Sequence, residues 1–540
     1  MKKYNVFKIL TIAILVTVVL SYFVPGTTMT YGTVEKGTVM PIPFADVFTN
    51  GITSFSAFLT LFIYILVVGA FYGVLSKTGK YEKLVNNVAA SFNKNKGLFI
   101  VITIFILGLV TMFTGEMYSM LIFVPFLISV VRKLGFSKET SIATTVGAIL
   151  VGLSGSLFTT YTNQMLSLTV KDNILPKVIV TLVGIVTLVG FVLVFGNKPA
   201  KTNDLKKEKD GKLIPMYIIM IVIFALLVLG FVNWNGMFGY TGFDKFLETI
   251  RKGQISKVSV FDAILGKSMV SFGNWQPFNA AILFTFVSVL IGLIYKEGIN
   301  GFLESFAKGL KKAFPYALIV ILANIVLVNV YSSGIFYTIT IALTKKTVSL
   351  LTGSVTSVLA ALFYPDYAYG TQFTMTAVLS TTAKEYQSLF AVLFQAVYSL
   401  FLLISPTSII ILLALRYTET RYIDWIKYII KYFLVLIVTV LVVISISVKG
   451  FEAPSIVALI LLLVVYGVLV YLRYTKVSGG KVSTEEVKKV EVKKEEPKKE
   501  EVKKEETKKV EEKKETPKKE NNKSSNKKNT KKSNKKTNKK

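Results

Sequence analysis

Two short polar runs interrupt stretches of chain that are otherwise apolar enough to lie in a bilayer. The first is Ser154-Gly155-Ser156 with Thr159-Thr160-Tyr161-Thr162-Asn163-Gln164, and it follows an apolar face of Ile142, Val146, Ile149, Leu150 and Leu153. The second is Ser405-Pro406-Thr407-Ser408, which splits the run from Leu389 to Leu415. A helix interrupted at membrane depth frees backbone groups that lipid cannot satisfy, so they must be buried in protein or line a wet cavity. Discontinuous helices of this kind hold solutes and ions near the midplane through end dipoles and free carbonyls. On this reading the binding set is Glu116, Ser154, Ser156, Thr160, Asn163, Gln395, Ser405 and Thr407. The plainer reading is packing: Gly147, Gly152 and Gly155 form a small-residue seam, and each hydroxyl bonds to its own helix. Two interruptions, one in each half of the chain, favour a binding site.

Glu116 and Asp366 are the notable charges in the apolar region, each beside a Gly- or Pro-marked break. Acids at membrane depth are functional candidates because burying them is costly, although both also fit a wet loop tip. Gln395 precedes the second break, where a helix–helix hydrogen bond would explain it without a ligand. The chain has no cysteine and no histidine. That excludes disulfides, thiol catalysis, His/Cys zinc sites and histidine proton relays. The serines and threonines have no histidine base, so an enzyme is not expected. No cofactor is expected either. The coupling ion is expected to be Na⁺ or H⁺, oxygen-rich breaks being suited to Na⁺ as a hard cation.

The elements that must position these residues are membrane helices. Of 540 residues 52% are hydrophobic, the mean hydropathy is +0.57, and apolar runs of membrane length recur from residue 7 to residue 472. The fold class is an all-α polytopic membrane protein. The formal charge of +31 divides into a tail from Arg473, with 26 basic and 13 acidic residues, and short lysine-rich loops. The loops read as a positive-inside bias, so the charge says nothing of nucleic acid.

The run Phe7 to Val24 lacks an A-x-A-like cleavage site and reads as a retained first helix with its N-terminus inside. Residues 1–197 form a first transmembrane half and 198–212 a cytoplasmic linker. Residues 213–448 form a second half, 449–474 an extra C-terminal transmembrane helix, and 475–540 a basic cytoplasmic tail. Lysine pairs recur every five residues in that tail, which gives no helical stripe, and its poverty in apolar residues predicts disorder. It is expected to touch anionic lipids, RNA being the weaker alternative and a tail without partners the plain one. Leu98–Phe113 and Met120–Val131 flank Gly115-Glu116 and read either as two spans or as one re-entrant hairpin. About thirteen apolar segments with both termini cytoplasmic present a parity conflict. A re-entrant segment within 345–415 removes it.

Several stretches resemble the YfcC-like anaerobic C4-dicarboxylate carrier proteins. In the first half these are Tyr22-Phe23-Val24-Pro25-Gly26, Gly73-Val74-Leu75-Ser76-Lys77-Thr78-Gly79 and Gly115-Glu116-Met117 through Val124-Pro125-Phe126 to Lys133-Leu134-Gly135-Phe136. In the second they are Ser333-Gly334-Ile335-Phe336-Tyr337-Thr338-Ile339 and Gln395 through Ser405-Pro406-Thr407-Ser408 to Trp425-Ile426-Lys427-Tyr428. The resemblance spans roughly residues 8–448, and the order of the motifs carries it more than any one of them. It implies the ion transporter superfamily: two inverted repeats with re-entrant hairpins and broken helices, a scaffold, a mobile transport domain and often a homodimer. Three family features are replaced here. Met117 stands where a second acid is usual, Thr162-Asn163-Gln164 where Asn-Pro is usual, and Tyr367-Ala368-Tyr369-Gly370-Thr371 where a Pro-Ser-Gly-Ser-Gly-like tip is usual.

The expected function is secondary active transport, by symport or exchange, of a small organic anion or amino-acid-type solute. A C4-dicarboxylate, an amino acid or a short peptide would fit. The expected location is the plasma membrane, multi-pass, with both termini cytoplasmic. The rival is a non-transporting scaffold that recruits partners through its basic tail; deleting the chain from Val477 would spare uptake by a transporter and abolish a scaffold's phenotype. Lysine distribution places 76–97 and 198–212 inside and 27–50 and 235–275 outside. A single cysteine at Lys206 should therefore resist an impermeant thiol reagent on intact cells, and labelling there would overturn the arrangement.

Overall fold

In the structure, a computed structural model, the residues described are 5–30, 33–157, 173–196, 199–200, 205–208, 210–255, 258–344, 348–379, 384–448 and 467. Thr160, Asn163, the expected helix at 449–474 (apart from residue 467) and the tail 475–540 lie outside them. The fold is an all-α polytopic bundle in which strands are few among the described residues. The first half contains α1 (Asn5–Ser21), a β1–β2 hairpin (Pro25–Thr30, Thr33–Val39), α2 (Phe44–Ala57), α3 (Leu59–Lys77), α4 (Tyr81–Ser91) and α5 (Lys96–Thr114). It continues with α6 (Val124–Lys133), α7 (Lys138–Ile142), a π turn, α8 (Ala148–Ser154) and α9 (Ile174–Val194). After α10 (Ile214–Phe231) come three short helices, α11 (Trp234–Phe238), α12 (Gly242–Lys252) and α13 (Val260–Leu265). The second half then runs α14 (Pro277–Ile294), α15 (Gly298–Ser332), α16 (Ile335–Thr344), α17 (Leu350–Phe363), α18 (Tyr367–Leu379), α19 (Lys384–Phe401), α20 (Ile409–Thr418) and α21 (Tyr422–Val448).

Among the described residues seven helices are long and apolar enough to cross a membrane: α3, α5, α9, α10, α14, α15 and α21. The other apolar helices are too short. At a rise of 1.5 Å per residue, the 14 residues of α17 reach only about 21 Å against a hydrocarbon core of about 30 Å. Short helices pair into hairpins or half-helices, so apolar segments outnumber spanning helices among the described residues. The element order of the two halves matches: a long helix (α2–α3, then α15), a short one (α4, then α16), a hairpin (α5/α6, then α17/α18), a broken helix (α7–α8, then α19–α20) and a spanning helix (α9, then α21).

The two long helices pack against each other. Asn50 Nδ2 donates to Asn329 Oδ1 at 2.8 Å and Ser54 Oγ to the Ile321 carbonyl at 2.8 Å, while Gly69 meets Ala313 and Gly73 meets Gly309. Numbers rise along one helix as they fall along the other, so the pair is antiparallel, as an inverted repeat requires. Small residues set the spacing: a Cβ added at Gly309 would lie 2.7 Å from the Ala70 Cα. With α1 and α14 this pair forms one layer; α5, α8, α9, α17, α19 and α21 pack together as the other.

The lysine-rich segments share a face. Lys80 Nζ pairs with Asp210 at 2.7 Å, Lys83 reaches Asp210 and Glu208, and Asn87 brackets the Glu208 backbone. The linker thus lies against α4. The β1–β2 hairpin sits at the end of α15, where Thr27 N–H donates to the Gly334 carbonyl at 3.2 Å. Pro25-Gly26 after an apolar run suggests a loop, and the short Thr-rich strands that form there have little apolar alternation to mark them.

Gly309→Val tests the seam. Overpacking a close crossing costs about 1–3 kcal/mol, so the purified variant should melt at a lower temperature than the parent. An unchanged melting temperature would contradict the close crossing.

Candidate functional site

The first hairpin is re-entrant. The Tyr64 hydroxyl donates to the Tyr118 carbonyl at 2.8 Å and the Tyr72 hydroxyl to the Ile122 carbonyl at 2.5 Å, fixing the tip against α3. Tyr64 is 13 residues from Lys77, the end of α3, so the tip lies about 20 Å along that helix from its lysine-rich end. Both arms start and finish on that end, since Tyr81, just beyond α3, packs on Phe126 of α6. Gly115 turns the chain with φ +65°, a conformation that glycine adopts without strain. Glu116 Oε1 accepts the Tyr118 N–H at 3.2 Å. In the second tip Asp366 Oδ1 accepts the Tyr369 N–H at 3.1 Å and so begins α18. Each acid thus organises its own tip.

Each break docks on the first arm of its own hairpin. At the first, Leu157 N–H donates to the Met112 carbonyl of α5 at 2.9 Å. At the second, Ser405 Oγ donates to the Ala361 carbonyl and Thr407 Oγ1 to the Leu362 carbonyl of α17, both at 2.8 Å. The carbonyls released where each helix stops also find donors. Ser154 Oγ donates to Val151 at 2.7 Å; Gln395 Nε2 donates to Ser156 at 2.7 Å and Leu153 at 3.3 Å. The Trp425 indole donates to the Leu403 carbonyl at 2.7 Å, and the Tyr422 hydroxyl to that of Ile404.

Of the sequence-selected set, Ser154, Ser156, Gln395, Ser405 and Thr407 are thus buried in one core. Four of them use side chains to hold the breaks, and Ser156 is gripped through its carbonyl. Among the described residues, which leave out 158–172 of the first break, the two breaks do not touch. The second starts at Leu402, seven residues beyond Gln395 and hence about 10 Å along α19. Glycine packing operates as well: a Cβ on Gly152 would meet the Gly108 carbonyl, and one on Gly155 would meet Lys177 and Thr181. Gly147 has more room.

Several polar groups around this core were not singled out from the sequence. The hydroxyls of Thr111 and Thr181 beside the first break, and of Ser408 at the second, have no hydrogen-bond partner among the described residues. Lys177, 3% exposed, lies beside Gly155. The hydroxyl oxygens could serve a hard cation. Among the described residues no cluster of three His, Cys, Asp or Glu could hold a metal.

A cavity of about 970 Å³ approaches the first hairpin tip and the start of α20, although Glu116, Asp366, the described break residues and the unpartnered hydroxyls of Thr111, Thr181 and Ser408 do not line it. It lies between α3 and α15 on one wall and α6 and α20 on the other. Its deep end includes Ile65 and Leu121, next to the Tyr64–Tyr118 contact, and Ile410, two residues past Ser408. Its mouth is on the lysine-rich face, where Lys77, Lys308, Lys311 and Lys312 outnumber Glu304 and Glu419. Broken helices and hairpins packed as one layer against a second, with a basic cavity between α3/α15 and α6/α20, are an architecture suited to a membrane transporter. A family model described as C4-dicarboxylate anaerobic carrier matches residues 5–449, and the chain belongs to that family.

Two solved structures are also similar. The YdaH transporter of Alcanivorax borkumensis is 14% identical, the match covering 84% of this chain and 99% of that one with a TM-score of 0.38. MtrF of Neisseria gonorrhoeae is 15% identical, over 83% of this chain and 96% of that one, with a TM-score of 0.37. No curated protein matches the chain.

The role of Gln395 is testable. Replacing it with leucine strips the donor from two buried carbonyls, which costs about 1–3 kcal/mol. The purified variant should melt lower whether or not solute is present; undiminished stability would show that the amide does not hold the break.

Proposed function

We propose that this carrier is a secondary active transporter that moves a small carboxylate-bearing solute, such as a C4-dicarboxylate, by alternating access in symport or exchange. The observation that supports this reading best is the cavity running from the lysine-rich face to the first hairpin tip and the start of α20. Basic side chains at its mouth would raise the local concentration of an anion. The wall formed by α3 and α15 is braced by a close-packed seam, whereas α6 and α20 belong to the hairpin and broken helix. A shift of one wall against the other would close the mouth and open the opposite side, as in carriers built from inverted repeats.

By the positive-inside rule the lysine-rich face is cytoplasmic, which makes this an inward-open arrangement in the plasma membrane with the N-terminus inside. The solute would meet the uncapped start of α20 at Ser408, where partial positive charge favours a carboxylate. Glu116, at the tip above the cavity, is the coupling group in this reading, taking a proton or facing Na⁺ as the tip moves. An amino acid or short peptide also carries a carboxylate and remains the second solute class.

Glu116→Gln should leave the melting temperature close to that of the parent, because the amide oxygen still accepts the Tyr118 N–H. Uptake of radiolabelled succinate into proteoliposomes should fall and lose its dependence on pH or Na⁺. Unaltered ion dependence in well-folded protein would contradict the coupling role.

A further inference from the structure

Arg416 occupies an unusual position in the cavity wall. It is in the last turn of α20 and only 8% exposed, with its guanidinium carbon 5.4 Å from the centroid of the Phe7 ring. Its Nη1 is buried and has no hydrogen-bond partner among the described residues. The plainer role, a basic residue at a helix C-terminus stacked on an aromatic ring, accounts for the charge and the ring contact. It leaves Nη1 bare, and a buried guanidinium nitrogen without an acceptor is costly. The charged residues that line the cavity with it include Lys308 and Lys312 on the opposite wall and Glu419 just past the end of α20, and none forms an ion pair with Arg416. Tyr316 lines the same cavity.

We infer that Arg416 forms a second, release-side binding station for a carboxylate, set in the cavity wall between the helix breaks and the lysine-rich mouth. A carboxylate is the acceptor that a guanidinium fork fits best, and it can bind through two nitrogens at once. Station and deep site lie on one helix: α20 begins beside the second break and carries Arg416 in its last turn, eight residues from Ser408, which is about 12 Å. A solute leaving the uncapped end of α20 would therefore exchange one electropositive partner for another before reaching Lys308 and Lys312. Glu419 makes the mouth less attractive than a wholly basic one, which favours departure. This station rests on the carrier reading for its release-side role and for the choice of succinate as probe.

Because the chain has no cysteine, Tyr417→Cys supplies one thiol in the cavity wall beside Arg416, and Ser76→Cys, on the opposite wall, is the second reporter. The rate of maleimide labelling is measured on full-length protein in phosphatidylcholine nanodiscs, with succinate, with uncharged succinamide, or with phosphatidylglycerol added to the bilayer. Succinate should slow labelling and succinamide should not. Arg416→Gln should raise the succinate concentration needed for half-protection roughly tenfold or more, and Arg416→Lys should restore part of the protection. Equal protection in Arg416→Gln, no protection by succinate in the parent, or protection by phosphatidylglycerol in place of succinate would each overturn the station. Succinate uptake by the same protein separates the two readings. Uptake without protection overturns the station and leaves the carrier, whereas protection without uptake supports the station and counts against succinate transport.

Discussion

A helix that stops inside a membrane leaves carbonyls and N–H groups that no water is there to meet, and this constraint organises the carrier's core. Each stop is answered by a side chain from another element. Gln395 on α19 closes the end of α8, while Trp425 and Tyr422 on α21 close the end of α19. The hydroxyls of Ser405 and Thr407 tie the second break to its hairpin, as the Leu157 N–H ties the first. The hairpins and broken helices therefore form a connected hydrogen-bonded body, since releasing one break would strand buried groups on its neighbours. What is left unpaired around that body, such as the hydroxyls of Thr111, Thr181 and Ser408, is what a solute or an ion could use.

The other layer is held differently. Where α3 crosses α15 the contact is made by Gly69, Gly73, Gly309 and Ala313, close packing that uses no polar side chain. Nearer the far end the polar pairs Asn50–Asn329 and Ser54–Ile321 add direction. A layer fixed by backbone contact is stiff, while the facing wall of α6 and α20 meets it across a cavity. This difference in the quality of contact supports the motion of one wall against the other that we propose.

Much of this was legible in the sequence because polar and Gly- or Pro-marked runs contradict the apolar pattern around them. Both breaks and both tips fall where Ser154-Gly155-Ser156, Ser405-Pro406-Thr407-Ser408, Gly115-Glu116 and Pro365-Asp366 announced them. The plainer alternatives were right in part: Gln395 is a helix–helix hydrogen bond, and Ser154 bonds to its own helix. Helix lengths were less legible. Hydropathy marks Ala317–Val330 alone, yet α15 starts at Gly298, because its lysine-bearing turns are helical without being apolar. Arg416 and Lys177 escaped notice for a related reason. A basic residue at the end of an apolar run reads as a topology marker, and only the packing of α20 on Phe7, or of Lys177 beside Gly155, shows that each is buried.

The central claim is that the wall carrying α20 moves against the wall carrying α3. Spin labels on cysteines replacing Lys77 and Glu419, which line the cavity from opposite walls, would report it through the distance distribution measured by pulsed electron–electron resonance. The account predicts that succinate together with the coupling ion shifts population from the open separation towards a shorter one. A single distribution that no combination of solute, Na⁺ and pH alters would contradict it.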